Sequence, residues 1–287
     1  MKIKITSDST CDLSPELLRK YDIQTIPLYV NIGDQGLKDG VEATPDDIYA
    51  HVAAGGEICS TAAVNIADYA DVFGPLSESN DAVIHVDLSA ELSSCCQNAH
   101  LAAGAFGNVS TVDSRNLSTG NGYVALRAAE LAASGMEPAA IVDALNALTP
   151  CIDVSFIPDD LEYLRKGGRC SSVAALGANL LHLHPCIEVR NGGMRVGKKY
   201  RGSFEKILVQ YVRERLSDVD DLDLSRIFIT HSGGLSEDLI DAVRAAILDC
   251  APFEDVLITK AGCTISSHCG PGTLGIVFAR KSPLAVH

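Results

Sequence analysis

Four times along this chain a short β-prone run ends in a corner that bears Ser or Thr and passes straight into a helix signal. Lys2 to Thr6 runs into Ser7-Asp8-Ser9-Thr10-Cys11-Asp12, then Ser14 in an N-cap position with Pro15 at the first helical position. Val83 to Val86 runs into Asp87-Leu88-Ser89-Ala90-Glu91-Leu92-Ser93-Ser94 and an Ala-rich helix reaching about Phe106. Val109 to Val112 ends in Asp113-Ser114-Arg115 before a helix with Gly120 and Gly122 near its start. Ile227 to Thr230 ends in His231-Ser232-Gly233-Gly234, and Ser236-Glu237 opens the next helix. Strand and helix alternating at this spacing suit a parallel sheet covered by helices. In open α/β sheets, ligands bind at the C-terminal ends of the strands, where these polar corners lie. Helix caps and Asx turns explain single residues such as Ser14, but not the whole set.

Further signals fill the frame. Ile23 to Ile32 is apolar, Thr44-Pro45-Asp46-Asp47 caps a helix, and Glu137-Pro138 opens another. Ser60-Thr61-Ala62-Ala63-Val64-Asn65 interrupts the pattern with small residues. The texture changes around Pro150, which divides the chain into an N-terminal domain, 1–150, and a C-terminal one, 151–287. The expected fold is therefore α/β: a Rossmann-like parallel sheet with flanking helices, plus a second α/β domain. In the second part, Val154 to Ile157 reads as a strand and Asp159 to Leu164 as a short helix. The basic glycine corner Arg165-Lys166-Gly167-Gly168-Arg169 leads into Val173 to Leu181. Cys186 to Val189 and Met194 to Val196 flank Gly192-Gly193 as a hairpin, and Ser203 precedes a helix from Phe204 to Leu216. Lys198, Lys199 and Arg201 form a basic island. Near the end, two apolar runs flank Gly270-Pro271-Gly272 and predict strand, tight turn, strand, with Ser266, Ser267, His268 and Cys269 at the mouth of the turn.

Composition narrows the function. The 287 residues suffice for two domains, and a formal charge of −14 with pI about 4.9 disfavours duplex nucleic acid and anionic lipid surfaces. No apolar run reaches the roughly 18 residues that span a bilayer. The alternating start Met1 to Thr6 is no signal-peptide core, so stable membrane insertion is not expected and a cytoplasmic location is. None of the ten cysteines forms a C-x-x-C pair, so most should be small buried hydrophobes.

Enzyme templates fit poorly. Ser93 or Ser267 with His268 and an Asp would compose a nucleophilic triad, yet no G-x-S-x-G elbow is present. No P-loop occurs, and Gly270 to Gly275 matches G-x-G-x-x-G in letters but lies between strand-like runs. His182 and His184 are two apart, so on a helix their rings diverge, and core or helix-end roles fit them better than metal ligation. What remains is hydroxyls, one His and one Arg at corners lined by small residues, including Leu101 to Ala105. That inventory suits holding a carboxylate more than transforming it. Composition alone does not single out an acyl chain, and a capped turn would also explain Ser266 to His268.

Taken in order, Asp8-Ser9-Thr10-Cys11-Asp12-Leu13, Asp113-Ser114-Arg115, Asp160-Leu161-Glu162-Tyr163-Leu164-Arg165-Lys166-Gly167-Gly168-Arg169 and His268-Cys269-Gly270-Pro271-Gly272 resemble the successive motifs of the DegV family, from about residue 3 to 280. The resemblance implies a two-domain α/β protein that binds one long-chain fatty acid in an internal tunnel, with no other cofactor and no metal. It implies a non-catalytic carrier that presents the carboxylate to a separate ATP-dependent fatty acid kinase, making acyl phosphate for phospholipid synthesis. Thr61 matches the Thr of the family's Thr-Ser-Gln-Pro segment and Ser93 the Ser of its Leu-Ser-Gly-Thr segment, both as carboxylate ligands. Arg169 and His268 match its basic groups, and Arg201 matches a position that works with the kinase. The chain departs from the family at Ala62-Ala63-Val64-Asn65, at Ser94-Cys95, and at Cys11 and Cys269, which bears on the ligand's identity more than its class. A Ser/His hydrolase of acyl esters, with Ser93 as nucleophile and His268 as base, is the alternative.

Overall fold

The computed structural model describes residues 1–174 and 183–284. Their strands, in chain order, are β1 (Ile3–Asp8), β2 (Ile23–Ile26), β3 (Tyr29–Ile32), β4 (Gln35–Lys38), β5 (Ser60–Ala62), β6 (Ala82–Asp87), β7 (Val109–Asp113), β8 (Ile152–Ile157), β9 (Leu183–Arg190), β10 (Gly193–Arg201), β11 (Leu222–His231), β12 (Asp255–Lys260) and β13 (Leu274–Arg280). The first sheet is wholly parallel, in the order β2-β1-β6-β7. A second, six-stranded sheet runs β10-β9-β8-β13-β11-β12 and is antiparallel except between β11 and β12. A small antiparallel sheet, β4-β3-β5, stands apart. The fold is thus α/β with a parallel first sheet, as the strand–corner–helix alternation predicts.

The local signals act as read. Ser14 Oγ accepts from the Leu17 amide and Ser236 Oγ from the Leu239 amide, at 3.2 and 3.3 Å, each satisfying an otherwise orphaned N–H at a helix start. Asp47 reaches back to the Thr44 amide at 2.8 Å. Ser203 sits at its N-cap position but makes no side-chain bond there. β6 and β8 are buried along their whole length, as strands covered on both faces must be. The helix Thr119–Ala133 is almost entirely inside. It packs on both large sheets, so that one core runs from Ile5, Ile84 and Leu126 to Val154, Phe228 and Val277.

Four readings need correction. The stretch before Gly270 is a helix, Cys263–Cys269, between β12 and β13, not the second half of a strand. Its caps come from a distant part of the chain, which local pattern cannot show. The apolar run from Ile23 splits at Pro27 into β2 and β3, which belong to different sheets. Thr61 lies in β5, opposite Val30, rather than in an interruption. His184 lies in a strand, its ring 5.2 Å from that of Phe204, while His182 falls outside the described residues along with most of Val173 to Leu181. All ten cysteines are free thiols, and eight of them are buried.

Candidate functional site

The short helix Cys263–Cys269 organises the site. At its start, the Gly262 amide donates to Asp12 Oδ1 at 2.8 Å. The Cys263 and Thr264 amides and the Thr264 hydroxyl donate to Asp39 at 2.8, 3.0 and 2.7 Å. Ser9 Oγ adds a fourth bond to Asp39 at 3.1 Å. Both Asp side chains satisfy N–H groups that a helix leaves unpaired at its start. Burial pushes the Asp12 carboxyl up to about 8, with Asp39 nearby adding to the rise against the opposing bonds from Ser118 and Gly262. At the other end Gly270 has φ +72°, and a Cβ there would lie 2.6 Å from the Tyr163 ring. Only glycine meets both conditions. Ser232 Oγ donates to the Gly270 carbonyl at 2.5 Å and fixes the turn to the end of β11.

This framework aims His268, in the last turn, at a cavity of about 140 Å³. Thr61, Ser93, Arg169 and His268 all line it. His268 Nε2 lies 2.8 Å from Thr61 Oγ1, and Nδ1 has no hydrogen-bond partner among the described residues. Burial, assisted by the positive charge of Arg169, holds the imidazole down at about 4, so it is neutral at pH 7. The helix C-terminus favours the charged ring, but desolvation outweighs it. Arg169 is exposed at the cavity's rim, one guanidinium nitrogen donating to the Gly167 carbonyl at 2.8 Å. Ser93 Oγ accepts from the Cys95 amide at 3.2 Å. Leu28, Leu88, Leu117, Met194 and Ile265 supply the apolar wall, which the sequence did not point out.

Gly167 is the tight point, because a Cβ there would overlap His268 Nδ1. Gly167→Ala is therefore expected to turn the imidazole away from Thr61 and lower ligand affinity by about 10-fold, roughly the loss of one hydrogen bond. Ligand titration of the variant against the wild type checks this, and equal affinities would refute it.

Arg201 lies elsewhere. It is the exposed last residue of β10, about 20 Å along that strand from Met194 at the cavity wall. Of its basic neighbours, Lys198 is already paired with Glu214 at 2.8 Å. The hydrolase geometry is not formed either. His268 Nε2 faces Thr61, no acid meets Nδ1 among the described residues, and Ser93 is engaged with a backbone amide. A larger groove of about 700 Å³ lies between the helices Phe204–Arg215 and Glu237–Cys250. It is open, is rimmed by Lys206, Arg213 and Glu214, and lacks the buried imidazole that marks the smaller cavity.

Comparison with known proteins agrees with the motifs. The profile of the family described as "Uncharacterised protein, DegV family" matches residues 2–281. The chain belongs to the DegV family. A DegV domain-containing protein of Deinococcus radiodurans is 34% identical, over 97% of this chain and 98% of its own. A Thermus thermophilus DegV family protein, solved in a study of its fatty acid binding, superposes with TM-score 0.89 at 32% identity, over 97% of this chain and all of that one. Bacillus subtilis DegV, described as a fatty acid binding protein, gives 0.84 at 26% identity, over 98% of this chain and all of its own. The two solved structures share the two-domain DegV fold.

Proposed function

We propose that this DegV-family protein holds one long-chain fatty acid, with its carboxylate at Thr61, Ser93, Arg169 and His268. The observation that carries the reading is the convergence of these four side chains, from distant parts of the chain, on one cavity with an apolar inner wall. The Thermus and Bacillus relatives described as fatty acid binding support the ligand class. Among the described residues Arg169 is the one permanent cation lining the cavity, so it would supply the charge-assisted bond to a carboxylate. Neutral His268 would hold the Thr61 hydroxyl in place. A pocket of about 30 Å³ adjoins the cavity, sharing Leu117, Ile265 and Cys269 and reaching Val154, Phe156 and Val277 of the six-stranded sheet. The acyl chain would run that way, each buried methylene contributing roughly 0.8 kcal/mol.

The same reading makes the protein a carrier that presents the carboxylate to a separate ATP-dependent fatty acid kinase, with Arg201 on the contact face. Mass spectrometry of solvent-extracted protein should find one acyl species near one per chain. Arg169→Ala and His268→Ala are each expected to weaken fatty acid binding by about 10- to 100-fold. Unchanged affinity in both would remove the head-group assignment. Arg201→Ala should leave binding intact and slow acyl phosphate formation when the kinase is present; equal rates would remove the contact.

A further inference from the structure

Behind the cavity's Leu88, three side chains converge that carboxylate binding does not use. Asp8 ends β1, while His85 and Asp87, two apart on β6, face the same side of the sheet. All three are fully buried. His85 Nδ1 lies 2.9 Å from Thr6 Oγ1. His85 Nε2 faces Asp8 Oδ1 at 3.4 Å and Asp87 Oδ1 at 3.3 Å. Neither Nε2 nor either Asp87 oxygen has a hydrogen-bond partner among the described residues. Asp8 is fixed from behind, with the Tyr69 hydroxyl donating to Oδ1 at 2.5 Å and the Leu88 amide to Oδ2 at 2.8 Å. The Tyr69 and Phe73 rings close over the imidazole, edge to face.

We propose that Asp8, His85 and Asp87 form a binding site for a divalent metal ion of the zinc type, ligated by His85 Nε2, Asp8 Oδ1 and the Asp87 carboxylate. Distance is the first argument. A proton shared between imidazolium and carboxylate draws N and O to about 2.7–2.9 Å, shorter than either separation seen here. Nitrogen and oxygen ligands about 2.0–2.1 Å from a tetrahedral ion stand roughly 3.3–3.4 Å apart, as these do. Charge is the second argument. Two buried carboxylates need two compensating positive charges, which a divalent ion with neutral imidazole supplies without a proton on either acid. Thr6 supplies the outer partner that a metal-bound imidazole requires, accepting from Nδ1–H so that the Nε2 lone pair faces the carboxylates. The second Asp87 oxygen is available for bidentate ligation. One imidazole with carboxylates suits zinc and its first-row neighbours better than calcium or magnesium. Such an ion would tie β1 to β6 directly behind the corner that carries Leu88 and Ser93. Because the site is closed, loading would accompany folding.

The test is to unfold the whole protein in chelator, refold it with equimolar Zn²⁺ or with chelator alone, desalt both samples, and measure metal content and thermal unfolding. About one zinc per chain and a melting temperature several degrees above the chelator-refolded sample are expected. Refolding with Co²⁺ should give the visible absorption of a tetrahedral cobalt site. Asp87→Asn should lose the retained ion, while the exposed control Asp249→Asn should keep it. If Asp87→Asn does not refold, the wild-type cobalt spectrum still decides. Less than about a tenth of an equivalent of zinc, with no cobalt absorption, would mean that a proton holds the cluster and the proposal fails.

Discussion

Asp39→Ala is expected to lower the stability of the protein by about 3–5 kcal/mol, because several buried donors lose the acceptor they share. Asp39 is only 4% exposed and accepts from Cys263, Thr264 and Ser9, two of those bonds coming from backbone amides at the start of the His268 helix. Alanine would leave these donors buried with no acceptor, each costing about 1–3 kcal/mol before relaxation. The cost would not stay local, because Asp39 and the helix lie far apart in the chain and the bonds between them help place His268. The variant should therefore unfold at lower denaturant concentration with an unchanged m-value. Where it remains folded it should bind fatty acid more weakly, although Asp39 does not line the cavity. Asp39→Asn keeps one carbonyl acceptor while turning an N–H₂ toward donors, so it should fall between alanine and wild type. A loss below about 1 kcal/mol in Asp39→Ala would show that the helix is held by other contacts.

The same bonds explain what the sequence hid. Ser14-Pro15, Thr44 with Asp47, and Ser236 announce helix starts because each cap is satisfied within three residues. The helix Cys263–Cys269 has no such signal: its preceding residue is Gly262 and its capping carboxylates arrive from Asp12 and Asp39. Local pattern makes it the continuation of an apolar run and predicts a strand. Thr61 shows the same difficulty. Ser60–Ala62 is too short to declare itself a strand, and its position follows from pairing with β3. The resemblance to DegV motifs identified Thr61, Ser93, Arg169 and His268; the residues' own pattern made only their corners conspicuous. His85 sits inside a buried strand, where in the sequence an imidazole is only one polar interruption. Its meaning depends on Asp8, brought alongside by the parallel pairing of β1 and β6.

Acidification should expose the cost of keeping His268 neutral. An ordinary imidazole titrates near 6.5, whereas burial, reinforced by Arg169, holds this one at about 4. The unfolded chain therefore takes up a proton that the folded chain refuses. Stability contributed by neutral His268 is fully present above pH 6.5 and is lost progressively as pH falls from 6.5 to 4. At about 1.4 kcal/mol per pKa unit, the loss is up to about 3 kcal/mol. Urea unfolding of wild type and His268→Gln from pH 7 to 4 isolates it, since the carboxylates that titrate in both cancel in the difference. Wild type should lose more stability over this range, and parallel profiles would show that His268 is not held neutral by the fold. A bound fatty acid carboxylate would change the sign of the local field, favouring imidazolium and raising the pKa of His268. Binding near pH 5 should then take up a proton, measurable as a calorimetric enthalpy that depends on the buffer's ionisation heat. A buffer-independent enthalpy would place the carboxylate away from His268, leaving Arg169 as its principal charged partner.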